Sequence, residues 1–273
     1  LLASSAASDV YKRQWMKFRA GVVLTQEQVD ELIKDGANIC PMQWVETDKN
    51  AHKRRANKDV KPDLKSRLVG CGNFEETEGL RTDSPAGDND SRNLICSLCA
   101  SNKVKIKSAD ISSAYLQGKE VERLILYRIP RGGIPEEGIE EGTVIAARVP
   151  IYGTKDAGRG FWLKLKEVVI EQGYTLNMIL PTMFTLRKEG KIVSVLSSNV
   201  DDLLYGSLPG HDDAVQKILE TFVVKVQNEG EFRFCGKEFK QHSDHSITVI
   251  AKDNTEKIRP IDIPRNRRLV DKC

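Results

Sequence analysis

"KIVSVLSSNVDDLLYGS", residues 191–207, sets an apolar, β-rich run (Ile192, Val193, Val195, Leu196) directly before Asp201 and Asp202. A second apolar step follows without a gap: Leu203, Leu204, Tyr205, then Gly206. Adjacent carboxylates repel, and burying them unpaired is costly. The pair therefore needs either compensation or a water-reached turn. The pattern predicts strand, tight bend, strand, with the acids in the bend.

Working outward, "MFTLRKEGKIVSVLSS" reads as a hairpin turning at Glu189-Gly190. Upstream, Phe161, Trp162, Leu165, Val168 and Val169 recur at helical spacing over about 158–172, with Gly173 as the stop. Downstream, "HDDAVQKILETFVVKV" is an amphipathic helix carrying Ala214, Val215, Ile218, Leu219, Phe222 and Val223 on one side. "KVKIKSAD" alternates, so Val104, Ile106, Ser108 and Asp110 share one strand face and Asp110 ends the strand. "EFRFCGKEFK" and "SITVIAKD" form a last hairpin. The order predicts an α+β fold: an antiparallel sheet backed by two helices.

Toward the N-terminus, "LTQEQVDELIKDG" signposts a helix. Thr25 caps it, Gln28 completes a capping box, Leu24 and Val29 staple it, and Gly36 ends it. "QWVET" and "SRLVGCG" read as strands, and a helix over about 91–101 takes Asp90 as its cap. "RLILYRIP" and "VIAARVPIYG" add two more strands. The opening "LLASSAASDVYKRQ" has neither the basic start nor the sustained apolar stretch of a signal peptide. It looks like a translated adapter or assembly scar, and residues 1–20 are set aside as a non-native or disordered leader.

The chain has 273 residues and a formal net charge of +3, enough length for one large domain or two intimate subdomains. No stretch is long and apolar enough to span a membrane. Between Lys49 and Arg67 eight basic residues (Lys49, Lys53, Arg54, Arg55, Lys58, Lys61, Lys65, Arg67) face only Asp59 and Asp63. Such a run is usually a solvated loop, and it is also what a phosphate-contacting surface needs. The six cysteines are scattered, which predicts reduced thiols in an intracellular setting. Cys96 and Cys99 form a lone CxxC inside an apolar-periodic segment, so they read as core residues on one helix face. His242-x-x-His245 reads as a hairpin turn, with a metal site a remote second.

Three carboxylates carry the chemical question. If the Asp201-Asp202 bend pairs beside the end of the Asp110 strand, all three converge on one sheet edge. Converging carboxylates suit a hard divalent cation such as Mg²⁺. Two such ions about 4 Å apart can clamp the attacking and leaving oxygens of a phosphoryl displacement. The bland reading of any single Asp is a turn or cap.

Together the blocks resemble a family. "ADISSAYLQG", followed about ninety residues later by "NVDDLLYG", resembles the two metal-binding motifs of the copia-type retrotransposon reverse transcriptases. "LKSRLVGCG", "DSPAG", "VPIYGTKDAGRGFWLKL" and "FCGKEFKQHSDHSITV" resemble further blocks of that family in the same order, over roughly residues 40–255. The resemblance implies the fingers and palm of a right-hand polymerase. Fingers would take 21–95 (with the N-terminal helix) and 119–158, palm 96–118 and 159–240, and the start of a thumb or connection 241–273.

It also implies roles. Asp110, Asp201 and Asp202, with the main-chain carbonyl of Ile111, would hold two Mg²⁺ ions. Lys65 and Arg67 would contact the triphosphate. Tyr115 would pack under the sugar and exclude a 2′-hydroxyl. Lys155 and Arg159 would approach nucleotide and template. The bland alternatives are outward strand residues for Lys65 and Arg67, and ordinary core for Tyr115. Partners implied are an RNA or DNA primer–template, deoxynucleoside triphosphates and the rest of a retroelement polyprotein, of which this chain looks like a fragment. The implied location is a cytoplasmic particle or the nucleus.

Three positions depart from the family pattern: Asn199 where an aromatic is usual, Asp156 in place of Gln, and Gly158 in place of Pro. Three readings follow. The first is a templated DNA polymerase. The second is a decayed remnant that only binds nucleic acid. The third is an α+β domain whose acids bind one structural cation.

Overall fold

The computed structural model describes residue 15 and residues 17–134 and 137–255. In chain order the elements are β1 (Gly21–Val23), α1 (Gln26–Lys34), β2 (Ile39–Asp48), α2 (Ala51–Ala56), β3 (Leu64–Gly70), α3 (Asn89–Ser101), β4 (Lys107–Ile111), β5 (Leu126–Arg128) and β6 (Val144–Ala147). There follow α4 (Ala157–Glu171), β7 (Tyr174–Leu176), β8 (Met183–Lys188), β9 (Lys191–Asn199), β10 (Asp202–Ser207), α5 (Asp213–Thr221), β11 (Val224–Glu229), β12 (Glu231–Phe234), β13 (Lys237–Gln241), β14 (Ile247–Ile250) and the short α6 (Lys252–Thr255). The fold is α+β, built mainly on antiparallel sheets.

The six-stranded sheet runs β11-β4-β10-β9-β8-β7, antiparallel throughout. On one face α4 contributes Phe161, Leu165, Val168 and Val169, and α5 contributes Val215, Ile218 and Leu219. They pack on Ala109, Ile111, Leu203 and Tyr205 of the sheet. This is the expected sheet backed by two helices. The opposite face is covered as well. Ile95 and Cys99 of α3 join Ile106, Val195, Leu204 and the aromatics Phe232, Phe234 and Phe239 of a small sheet ordered β12-β13-β14. Burial on both faces explains why β10 reads as an unbroken apolar run rather than an alternation.

A five-stranded sheet, β1-β6-β5-β2-β3, forms the second body. Its pairs are antiparallel except β2 with β5, which is parallel. Its core gathers Leu68, Tyr127, Ile145 and Ile151. α1 follows its signals. Gln28 N–H donates to Thr25 Oγ1 at 3.3 Å and Thr25 N–H to Gln28 Oε1 at 2.9 Å. Leu24 packs in one cluster with Val29, and Gly36 follows at φ 87°.

Several boundaries differ from expectation. Residues 1–14 lie outside the described residues, but a leader reaching residue 20 is too long. Trp15 and Ala20 are 2 % and 1 % exposed in the five-stranded core, and the Ala20 carbonyl accepts from Arg148 N–H at 2.9 Å. α3 begins at Asn89, capped by Asp88, whose carboxylate accepts from Ser91 N–H at 2.6 Å. Asp88 wins over Asp90 because it stands three residues before a buried N–H donor. β4 opens only at Lys107, since Ile106 bonds to Gln241 and Gly230 of the small-sheet region instead. α5 stops at Thr221, because Phe222-Val223-Val224 leads into β11 and strand pairing suits that β-branched, aromatic run. "EFRFCGKEFK" is itself a hairpin turning at Cys235-Gly236 (φ 47° and 74°), and β14 is its third strand. Trp162, expected among the buried helix residues, is partly exposed with the Lys166 ammonium 5.1 Å from its ring.

Cys96 and Cys99 do lie in one α3 core face, where burial pushes their thiols up to about 11 and about 12. His242 and His245 sit in the β13–β14 turn, closed by the Ser246 carbonyl accepting from His242 N–H and the His242 carbonyl from His245 N–H, at 2.8 and 3.0 Å.

Candidate active site

The β9–β10 hairpin turns on two residues, Val200 and Asp201, with Asn199 facing Asp202 across the pair. Val200 takes φ 57°, a left-handed conformation that costs a β-branched residue about 1–2 kcal/mol. Asp202 is the register partner of Asp110 on β4. Partners in an antiparallel pair share a face, with Cβ atoms about 4.5–5.5 Å apart. The Asp201 carbonyl accepts from Ile111 N–H at 2.8 Å, tying the turn to the end of β4. The three acids are therefore brought to one end of the central strands.

Their electrostatics record the crowding. Burial, then the charges of Asp201 and Asp110, push Asp202 up to about 6. Asp201 is also raised, first by loss of water and then by Asp110, against the pull of Lys65 and Arg67. Among the described residues no three His, Cys, Asp or Glu side chains stand close enough to hold one metal ion. Asp110 Oδ2 instead has the Lys225 ammonium at 3.7 Å.

Beside the acids opens a cavity of about 390 Å³. Lys65, Arg67 and Tyr115 line it together with Asp110 and Asp201, as do Lys49, Tyr152 and Lys225. β3 carries the cations: Lys65 and Arg67 are same-face neighbours two residues apart. Burial first, then the charges of Arg67, Lys49 and Lys225, lowers the Lys65 ammonium. The Arg67 guanidinium stands 5.4 Å from the Tyr152 ring centroid, and the Tyr152 ring is 5.0 Å from that of Tyr115. Tyr115 is thus half-buried on the cavity wall, its phenol raised by burial and by Asp201.

Lys155 and Arg159 stand elsewhere. Arg159 pairs with Asp83 at 2.9 Å, and Lys155 is exposed, its N–H donating to Glu75 at 3.4 Å. Neither lines the cavity.

The departing residues have structural partners. Asp156 accepts two bonds from Arg123, at 2.9 and 3.3 Å. The same guanidinium reaches Glu75 at 2.6 Å, and Glu75 also accepts from the Tyr127 hydroxyl. The Asp156 charge is therefore matched away from the cavity. Asn199 Oδ1 accepts from Gly87 N–H at 3.2 Å. A Cβ at Gly87 would lie 3.0 Å from the Ser198 carbonyl and 3.1 Å from Asn199 Cβ. The 83–87 loop is pinned to the hairpin through this contact. A Cβ at Gly158 would meet Ser84 of the same loop at 3.2 Å.

Sequence reasoning missed Tyr152, Lys225 and the Asn199–Gly87 bond. Tyr152 carried a signal, standing before Gly153 in a strand-to-turn block. Lys225 carried none, because a register shift between Val224 and Val226 decides where it points.

Against known proteins, a family model described as reverse transcriptase (RNA-dependent DNA polymerase) matches residues 28–258. The retrovirus-related Pol polyproteins from transposons RE2 and RE1 of Arabidopsis thaliana are each 24% identical over 216 residues. The match covers 73% of this chain and 14% of each relative, so the chain spans about one seventh of their length. Among solved structures, a foamy viral protease-reverse transcriptase in complex with double-stranded DNA matches 86% of this chain and 36% of its own, at 13% identity and TM-score 0.41. A Candida albicans telomerase in complex with a telomeric RNA fragment matches 88% and 49%, at 10% identity and TM-score 0.42.

Proposed function

Because the chain belongs to the reverse transcriptase (RNA-dependent DNA polymerase) family, we propose that it adds deoxynucleotides to a primer 3′ end on an RNA or DNA template. The observation that supports this most is that Asp110, the register partner of Asp202, lines one cavity with Asp201, Lys65, Arg67, Lys49 and Lys225. The donor chemistry suits Mg²⁺, hard carboxylate oxygens whose mutual repulsion a divalent cation relieves. Because no three such side chains surround one point among the described residues, an ion would have to draw the acids together. Asp110, Asp201 and Asp202, with the Ile111 carbonyl, would hold the ions. Bound there, two ions would neutralise charge as the primer hydroxyl displaces pyrophosphate from the α-phosphate.

The protein's own share is positioning. Lys65 and Arg67 receive the triphosphate, and Arg67 is held in place on the Tyr152 ring. Tyr115 sits beside Asp201 as the floor under the sugar. Lys155 and Arg159, expected to approach nucleotide and template, stand off the cavity, Arg159 on Asp83, and take no part in this reading of the triphosphate site. In this reading the helix-backed sheet is the palm, over 96–118 and 159–240. The five-stranded body with α1 is the fingers, over 21–95 and 119–158, and 241–273 begins a thumb or connection. The polyprotein relatives point to further domains as partners.

The test is primer extension with Mg²⁺ and deoxynucleotides. Asp201→Asn is expected to lower incorporation at least about 100-fold, the scale of removing one electrostatic transition-state contact, with primer–template binding retained. Salt-sensitive binding without any incorporation by the unmodified chain would instead establish the nucleic-acid-binding remnant.

A further inference from the structure

β11 pairs with β4 through a defect. Val224 faces Ile111, Val226 faces Asp110, and the register slips between them, so Lys225 is the extra residue of a β-bulge. Bulges re-aim a side chain out of strict alternation, and they gather beside active sites. Here the re-aimed side chain lines the cavity and sets its ammonium 3.7 Å from Asp110 Oδ2.

The surrounding charges say what that ammonium does. Asp110 faces Asp202 in register and stands near Asp201, so the cluster gathers negative charge at one sheet edge. Lys65 and Arg67 act on Asp201, whereas Lys225 is the cation paired with Asp110. The Lys225 side chain is 62 % exposed, so it can swing away without breaking a packed core. A divalent ion bound to Asp110 would have this ammonium as a close neighbour, and like charges so close repel.

We propose that Lys225 is the resident counter-cation of Asp110. It neutralises the acid cluster when no divalent ion is bound, competes with that ion for Asp110, and so sets how much divalent cation the site requires. This rests on the polymerase reading, in which Asp110 is an ion ligand.

The test is direct titration of the whole chain with Mn²⁺, read by electron paramagnetic resonance of the free ion, with no nucleotide or primer present. Lys225→Met is expected to bind Mn²⁺ about two- to fivefold more tightly at low salt, the scale of an exposed ion pair. The gain should shrink at high ionic strength, where such pairs are screened. Lys225→Arg keeps the charge and should bind as the unmodified chain does. Lys225→Gln repeats the neutralisation in a side chain that a strand surface tolerates, should the Met variant fold poorly. Asp110→Asn should bind at least about tenfold more weakly. If Asp110→Asn weakens binding but both neutral Lys225 variants leave it unchanged or weaker, the counter-cation role is wrong and the polymerase reading stands. If Asp110→Asn leaves Mn²⁺ binding unchanged, the ion is not at the acids and both readings fall.

Discussion

Val200 holds the left-handed turn that presents Asp201, and its β-branched side chain makes that conformation costly. Strain of this kind persists where the surroundings over-determine it, and here the Asp201–Ile111 bond does so. Asp202 adds a second local cost. Its folded pKa is raised to about 6 from 3.8, so the folded state binds the proton more tightly. That contribution to stability is complete below about pH 4 and is lost as pH rises through about 6. Asp202→Asn should therefore stabilise the chain by about 1–2 kcal/mol at pH 8, where the raised pKa is discounted for partial solvent access, and by almost nothing at about pH 3, below the unfolded value. Thermal unfolding at the two pH values checks this; an equal effect at both would remove the charge explanation. At this scale the sequence singled out the three acids, Lys65, Arg67 and Tyr115. It could not show that the Asp156 carboxylate is matched by Arg123, because that partner lies 33 residues away.

Elements around the site are joined by long-range polar contacts. Arg123 bridges Asp156, at the start of α4, to Glu75, whose side chain is 1 % exposed. Arg123→Met should cost about 3–5 kcal/mol by leaving the buried Glu75 charge unmatched. Adding Glu75→Gln should recover part of it in urea unfolding; no recovery would mean that packing, not charge, was lost. The Gly87–Asn199 contact is tighter. Gly87→Ala should lift the 83–87 loop from the β9–β10 hairpin, at a cost of about 1–2 kcal/mol, and loosen it toward protease. Unchanged cleavage of that loop would show that it tolerates the methyl group. Helices α1 and α4 were legible from capping and spacing. The end of α5 was not, because β4 recruits Val224 as a strand partner and nothing local announces that pairing.

The whole molecule rests on a sheet buried from both sides. The small sheet reaches the central strands through Phe232, Phe234 and Phe239, which pack with Ile95, Ile106 and Leu204. Phe232 and Phe239 stack at 5.4 Å and Phe234 meets Phe239 edge-on at 5.9 Å. Phe239→Ala should cost about 3–5 kcal/mol and shift a single unfolding transition. A separate early transition would mean that the small sheet unfolds on its own.

By itself the sequence determined the element types, the antiparallel α+β pattern and the acidic motifs, because these rest on local periodicity, capping and turn chemistry. Only the tertiary structure decided that Asp110 faces Asp202, that α3 and the small sheet cover the second face, and that a bulge turns Lys225 onto Asp110. Register and bulges are set by pairing between strands far apart in the chain, where a one-residue slip sends each side chain to the opposite face.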